Sequence, residues 1–370
     1  MPKSLSHQIV VITGASSGVG RETALLLAQQ GATVVVAARN EEALSTLKAE
    51  VERLGGTALS HPTDVAQWEQ VEDLARAAVE RFGRIDTWVN CAAASLYGEV
   101  HELTPEEITR AIQVILLGQV YGMKAALHQM RAQGQGGIVN VASALAVQAI
   151  PLQAPYVAAK HGVLGFAESL RMELEHEGSP ITVSTLLPSS INTPLFDSAR
   201  SRLGVMPQPV PPVYQPSVVA EAVVHTITDP QPQMVVGGGG KMMELLHRIA
   251  PRSAASLLVR HGKVVQNQRT DTPDNGTDNL FSPEHRARGG RGQFRAAREV
   301  HQHLHHRPGA APRTRPGPAR GRSCPGRGRA APYGQELSGG PASAPAPAVR
   351  LPAPVDADHQ PAGVVHRQRR

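Results

Sequence analysis

The chain has 370 residues, 41% hydrophobic and 18% charged, with a formal net charge of +6. That is enough apolar material for a full core, and the length admits more than one domain. No run approaches the ~18 apolar residues of a membrane-spanning helix, and the N-terminus lacks the charged, apolar, small-residue order of a signal peptide. A cytoplasmic protein with no transmembrane segment is therefore expected. The charge is uneven. Residues 281–370 hold 16 Arg, no Lys and 5 acids, a balance of +11, which leaves −5 for residues 1–280. The basic excess belongs to the tail and does not mark the whole chain as a nucleic-acid binder. Two cysteines, Cys91 and Cys324, exclude a disulfide framework and suit a reducing compartment.

In chain order, a short apolar run, Ile9 to Ile12, predicts a first strand. A Gly-rich turn and an amphipathic helix from Arg21 to Gln30 follow. Strands are then expected at Thr33–Ala37, Thr57–Ser60, Thr87–Val89, Ile138–Val141, Ile181–Leu187 and Met234–Val236. Between them the pattern predicts helices at Glu41–Leu54, Ala66–Phe82, Pro155–Glu177 and Ser217–Ile227. One longer helix is opened by the capping box Thr104-Pro105-Glu106-Glu107 and runs to about Met130. Strand and helix in strict alternation predict an α/β fold, a doubly wound parallel sheet with helices on both faces. Residues 1–240 form one α/β domain on this reading, 241–290 a partly helical extension, and 291–370 a low-complexity, disordered tail; the residues below make the first a dinucleotide-binding catalytic domain.

Three groups of residues carry chemistry. The first is the turn Gly14-Ala15-Ser16-Ser17-Gly18-Val19-Gly20. Gly14 permits a tight bend, while Gly18 and Gly20 let backbone approach a pyrophosphate and the strand. The helix N-terminus then offers free N–H groups and a favourable dipole to phosphate. The second is Ser143, at the end of the fifth strand, with Tyr156 and Lys160 four residues apart on one helix face. Singly these read as a cap, a half-buried aromatic and a solvated lysine. Ser, a gap of a dozen residues and Tyr-x-x-x-Lys, downstream of this glycine loop, together form a specific signal. The third is Val36-Ala37-Ala38-Arg39 after the second strand. Ala38 stands where an NAD-selecting acid would bond the ribose 2′-hydroxyl, and Arg39 is a fork suited to a 2′-phosphate. NADP is therefore expected over NAD.

Over about residues 5–240 the chain resembles the short-chain dehydrogenases/reductases, with their Rossmann-type fold. The resemblance implies that Tyr156 is the general acid in carbonyl reduction and the base in alcohol oxidation. Ser143 polarises the carbonyl, and Lys160 bonds the nicotinamide ribose and lowers the Tyr156 pKa. It further implies that Gly14, Ser16, Ser17, Gly18, Val19 and Gly20 hold the pyrophosphate, that Asp64 and Val65 meet the adenine, and that Asn90 braces the sheet on the cofactor side. Ile191 and Thr193 would hold the carboxamide. Asp64 alternatively caps the next helix. The chain departs from the family pattern at Ala93 and Ser189, which replace glycines, and at Ile115, which replaces an Asn in a proton relay. A homodimer or homotetramer is implied through the helices Thr104–Met130 and Pro155–Glu177.

Ala144–Ala154 and Ser190–Gln215 are rich in apolar residues and Pro, which suits an apolar or amphipathic small-molecule carbonyl or alcohol. Lys241–Val259 can form an amphipathic helix broken at Pro251, and Asp278–Phe281 reads as the last ordered attachment. The histidine run 301–306 lacks acids or cysteines at ligating spacing, so no metal is expected. Two other functions remain open on the sequence. One is a nucleotide-binding regulator with little turnover, suggested by Ile115. The other is nucleic-acid association through the tail, which lacks interleaved aromatics.

Overall fold

The structure is a computed structural model and describes residues 4–249, 263–283 and 289–294. The expected helix beyond residue 249, the histidine run, Cys324 and the rest of the Arg-rich tail lie outside the described residues.

Seven strands form one parallel sheet. They are β1 (Ile9–Thr13), β2 (Thr33–Ala38), β3 (Thr57–Pro62), β4 (Thr87–Asn90), β5 (Gly137–Val141), β6 (Thr182–Pro188) and β7 (Gln233–Val236), in the order β7-β6-β5-β4-β1-β2-β3. Side chains alternate faces along each strand. Val10 and Ile12 of β1, Val34 and Val36 of β2, and Val139 of β5 point to one face, against α1 (Gly18–Gln29), α2 (Glu41–Arg53) and α7 (Pro216–Thr228). Val11, Val35, Trp88 and Ile138 point to the other, against α3 (Trp68–Phe82), α4 (Pro105–Ile112), α5 (Gly118–Gln133) and α6 (Ala154–His176). Continuous apolar strands are thus buried on both sides, as a parallel sheet requires. The chain order reverses between β1 and β4, which opens a crevice at the carboxyl ends of the strands.

Local signals hold the helices in place. Asn40 caps α2 by accepting from Ala43 N at 2.9 Å. Thr104 and Glu107 close a reciprocal capping box at the start of α4. The single helix expected over 104–130 is divided, because residues Gln113–Leu117 form a π-helical turn between α4 and α5. A π turn keeps helical backbone angles and leaves the apolar spacing nearly intact, so the sequence pattern does not betray it. Ile115 in this turn is wholly buried.

After β7, α8 (Gly238–Ile249) follows directly. Residues Arg269–Pro273 then pair antiparallel with Val205–Pro207, a ribbon that the sequence reading did not foresee. Leu280 is wholly buried in the core on the α3–α6 side, and Asp278 pairs with Arg200 at 2.8 Å.

Candidate active site

The glycine turn lies at the edge of the crevice. Gly14 has φ +71°, and a Cβ there would lie 2.6 Å from the backbone of Ala92. A Cβ on Gly20 would lie 2.4 Å from the Gly14 carbonyl. Both positions exclude any side chain, which lets the turn pack closely at the edge of the cleft. Ser16, Ser17, Gly18 and Val19 line it.

The cleft has a volume of about 540 Å³ and runs from Arg39 to Ser143, Tyr156 and Lys160. Ser143 caps a short helical turn, accepting from Leu145 N at 3.1 Å. It also lowers the Tyr156 pKa, so the two side chains are near each other in the cleft. Lys160 is buried; its Nζ donates to the Val141 carbonyl at 2.8 Å and sits 5.6 Å from the Tyr156 ring centroid. Burial lowers the Lys160 pKa to about 7. Burial raises the Tyr156 phenol to about 12, against the opposing pull of Ser143. The lowering expected from Lys160 is not found: Lys160 is not among the causes of this shift, which are burial first and Ser143 second. Tyr97, buried beside the cleft, is also shifted well upward, by burial and then by Tyr156. Cys91 lines the cleft with its thiol pushed up to about 12 by burial, so it is no nucleophile at neutral pH.

The remaining expected residues fall into two groups. Val65, Ile191 and Thr193 line the cleft, and Thr193 packs against Gly18. Asp64 also lines it, but its carboxylate is held by Arg110 at 2.6 Å and by the Ala66 amide at 3.0 Å. It is not a helix cap, since α3 begins only at Trp68. The Asn90 side chain does not reach the cleft. It accepts from Trp88 Nε1 and donates to Asn140 Oδ1, both at 2.9 Å, which braces β4 against β5. Ser189, where the family has Gly, accepts from Gly240 N at 2.7 Å and ties the start of α8 to the loop after β6.

Arg39 lies where expected, at the end of β2, yet its guanidinium donates to the carbonyls of Asn279, Leu280 and Phe281. Desolvation lowers its pKa from the usual arginine value. Arg110 joins this cluster, donating to the Leu280 carbonyl at 3.0 Å. Gly289–Phe294 also packs nearby. Gly292 N and Phe294 N bond the backbone and side chain of Asn192, each at 3.0 Å, and the Phe294 ring meets Phe196 edge-on. Gly18 N lies 3.5 Å from the Gly289 carbonyl. Arg110, Tyr97 and Asn279 were missed in the sequence, where no periodicity or motif marks them.

This architecture is that of the dinucleotide-binding α/β proteins. The short chain dehydrogenase family profile matches residues 8–204. With that match, and the relatives that follow, the chain belongs to the short-chain dehydrogenase/reductase family, whose enzymes interconvert carbonyls and alcohols with NAD or NADP. It is 38% identical over 275 residues to the uncharacterized oxidoreductase YxnA of Bacillus subtilis, covering 74% of this chain and 77% of that one. It is 35% identical over 232 residues to cyclohexanol dehydrogenase of an Acinetobacter species, covering 62% and 91%. Among solved structures, a point variant of actinorhodin polyketide ketoreductase with NADPH aligns with TM-score 0.57 and 33% identity, over 65% of this chain and 98% of that one. Among the described residues no helix is long and apolar enough to cross a membrane.

Proposed function

We propose that the protein is an NADP(H)-dependent oxidoreductase that interconverts a carbonyl and a secondary alcohol on an apolar or amphipathic small molecule. The observation that carries this reading is the convergence of Ser143, Tyr156 and buried Lys160 on one end of a cleft whose other part is lined by the glycine turn, where Gly14 and Gly20 admit no side chain. That turn suits a dinucleotide pyrophosphate. When bound, the nicotinamide would supply or accept the hydride.

The chain's own residues handle the proton. With its pKa near 12, Tyr156 keeps its proton at neutral pH and gives it up as the carbonyl oxygen gains basicity. Ser143 favours the phenolate that remains, and it lines the same cleft, where its hydroxyl would polarise the substrate carbonyl. Lys160 is fixed by Val141 with donors to spare for ribose hydroxyls. Leu145, Ile150, Leu195, Phe196 and Val210 supply the apolar lining that favours such a substrate.

The preference for NADP rests on Arg39 and on the absence of an acid at Ala38. Titration of NADPH and NADH into the protein and into an Ala38→Asp, Arg39→Ala variant tests it: the order should reverse. Equal affinities in the unmutated protein remove Arg39 from this role. Turnover on a panel of ketones and alcohols, followed by nicotinamide absorbance, tests the reaction itself. Exposed Phe166 and Met172 on α6 support a homo-oligomer that buries this helix, and sedimentation velocity tests that.

A further inference from the structure

We propose that Gln153 binds the substrate, its side-chain Oε1 accepting a hydrogen bond from a substrate hydroxyl or N–H, and that Gln268, in the C-terminal extension, positions it. The inference rests on the oxidoreductase reading above and narrows the substrate class: a carbonyl or alcohol with a second, donor-bearing group on its apolar body.

Gln153 lines the cleft together with Ser143 and Tyr156, three residues ahead of that tyrosine in the chain. It occupies the N-cap position of α6, yet its side chain makes no capping bond. The residue before it, Leu152, has φ +67°, a conformation that side-chain-bearing residues seldom adopt and that collects at functional sites. Gly98 N holds the Leu152 carbonyl at 3.0 Å. The backbone that presents Gln153 is thus fixed, and its side chain is turned away from the helix end it could have capped.

Gln268 sets the orientation of the amide. Gln268 is wholly buried, and its Nε2 donates to the Val264 carbonyl at 3.0 Å and the Pro151 carbonyl at 3.3 Å. With both hydrogens on carbonyls, its Oε1 is the acceptor, and it accepts from Gln153 Nε2 at 2.8 Å. The Gln153 nitrogen therefore turns to the extension, and Oε1 takes the other side of the amide. Among the described residues nothing donates to this oxygen, and it is not one of the unpartnered polar atoms shut off from solvent. Oε1 thus borders open space, and the space that the otherwise buried Gln153 borders is the cleft. Leu145, Ile150 and Val264 line the same cleft with apolar surface, against which a lone oriented acceptor selects for a donor on the ligand.

Steady-state kinetics on ring ketones tests the inference. The probes are hydroxycyclohexanones, with the hydroxyl at either ring position remote from the carbonyl, each beside the methylcyclohexanone of the same shape. In the full-length protein one hydroxy ketone should exceed its methyl partner in kcat/KM by about five- to tenfold, the scale of one neutral hydrogen bond. Gln153→Met, similar in length and without the amide, should bring that ratio to about one, and Gln268→Met should lower it too. A merely structural role would cut both ketones alike and leave the ratio intact. The ratio in the unmutated protein needs no variant to fold. Equal kcat/KM across both hydroxy–methyl pairs there overturns the inference, and so does a preference that survives Gln153→Met. A preference lost in Gln153→Met and intact in Gln268→Met overturns the positioning role of Gln268. An unmutated protein that reduces none of these ketones and oxidises none of the matching alcohols, with NADPH or NADH, overturns the oxidoreductase reading itself, whereas one that reduces the methyl ketones without favouring their hydroxy partners overturns only this inference.

Discussion

Lys160 Nζ and Gln119 Nε2 donate to the same acceptor, the Val141 carbonyl, at 2.8 and 3.2 Å. Lys160 thus spends one donor on backbone in a dry environment, and burial brings its pKa to about 7. In the unfolded chain the same amine titrates near its usual value of about 10.5. Between these two values the unfolded chain binds more protons than the folded one, so the Lys160 contribution to stability rises with pH across that window. Lys160→Met removes this dependence. Thermal melts without cofactor should show the variant gaining on the unmutated protein as pH falls from about 10.5 towards 7, with no further change below. A gap independent of pH would mean that Lys160 keeps its ordinary pKa in the fold.

Tyr156→Phe removes the transferable proton and keeps the ring. Turnover should drop by about 10²–10⁴-fold or more, with cofactor affinity retained. Steady-state kinetics on any accepted ketone, beside a cofactor titration, checks both halves. Undiminished turnover would rule out Tyr156 as the acid.

Gly14→Ala forces a methyl group into the Ala92 backbone at a residue with φ +71°. The expected loss is at least about 2 kcal/mol, with cofactor binding lost as the turn shifts. Chemical denaturation measures the first and NADPH titration the second.

Glu107 is buried, closes the Thr104 capping box and receives both Arg200 and Arg202. Burial pushes its pKa up, but the Thr104 amide and the two arginines outweigh that and hold it below the usual value. Glu107→Ala leaves the arginines facing an empty site and should cost about 3 kcal/mol, the low end for breaking a buried pair because the arginines keep some solvent. Urea denaturation reads it. The acid form loses the same contacts, so the Glu107 contribution fades as pH falls through its lowered pKa.

Legibility in the sequence followed the range of the constraint. The glycine turn could be read because Gly14 and Gly20 each meet backbone that no side chain can pass. Ser143, Tyr156 and Lys160 could be read because their spacing places them on one strand end and one helix face. Arg39 could be located, but its partners are main-chain carbonyls some 240 residues away, and a carbonyl has no sequence signature. Leu280 stood out as an attachment because apolar residues are scarce around it, yet nothing in its neighbours says which cavity it fills. The π turn at Gln113–Leu117 was hidden because it alters hydrogen-bond partners without altering which residues are apolar.

Leu280 reaches zero exposure about 40 residues after the last strand of the sheet ends at Val236. The family profile stops earlier still, at residue 204. Anyone exchanging the sheet of this chain with that of a relative would therefore inherit an unfilled hollow in the core on the α3–α6 side and two arginines, Arg39 and Arg110, deprived of the carbonyls they hold. The extension and the sheet have to be moved, aligned and allowed to diverge as a single inheritance.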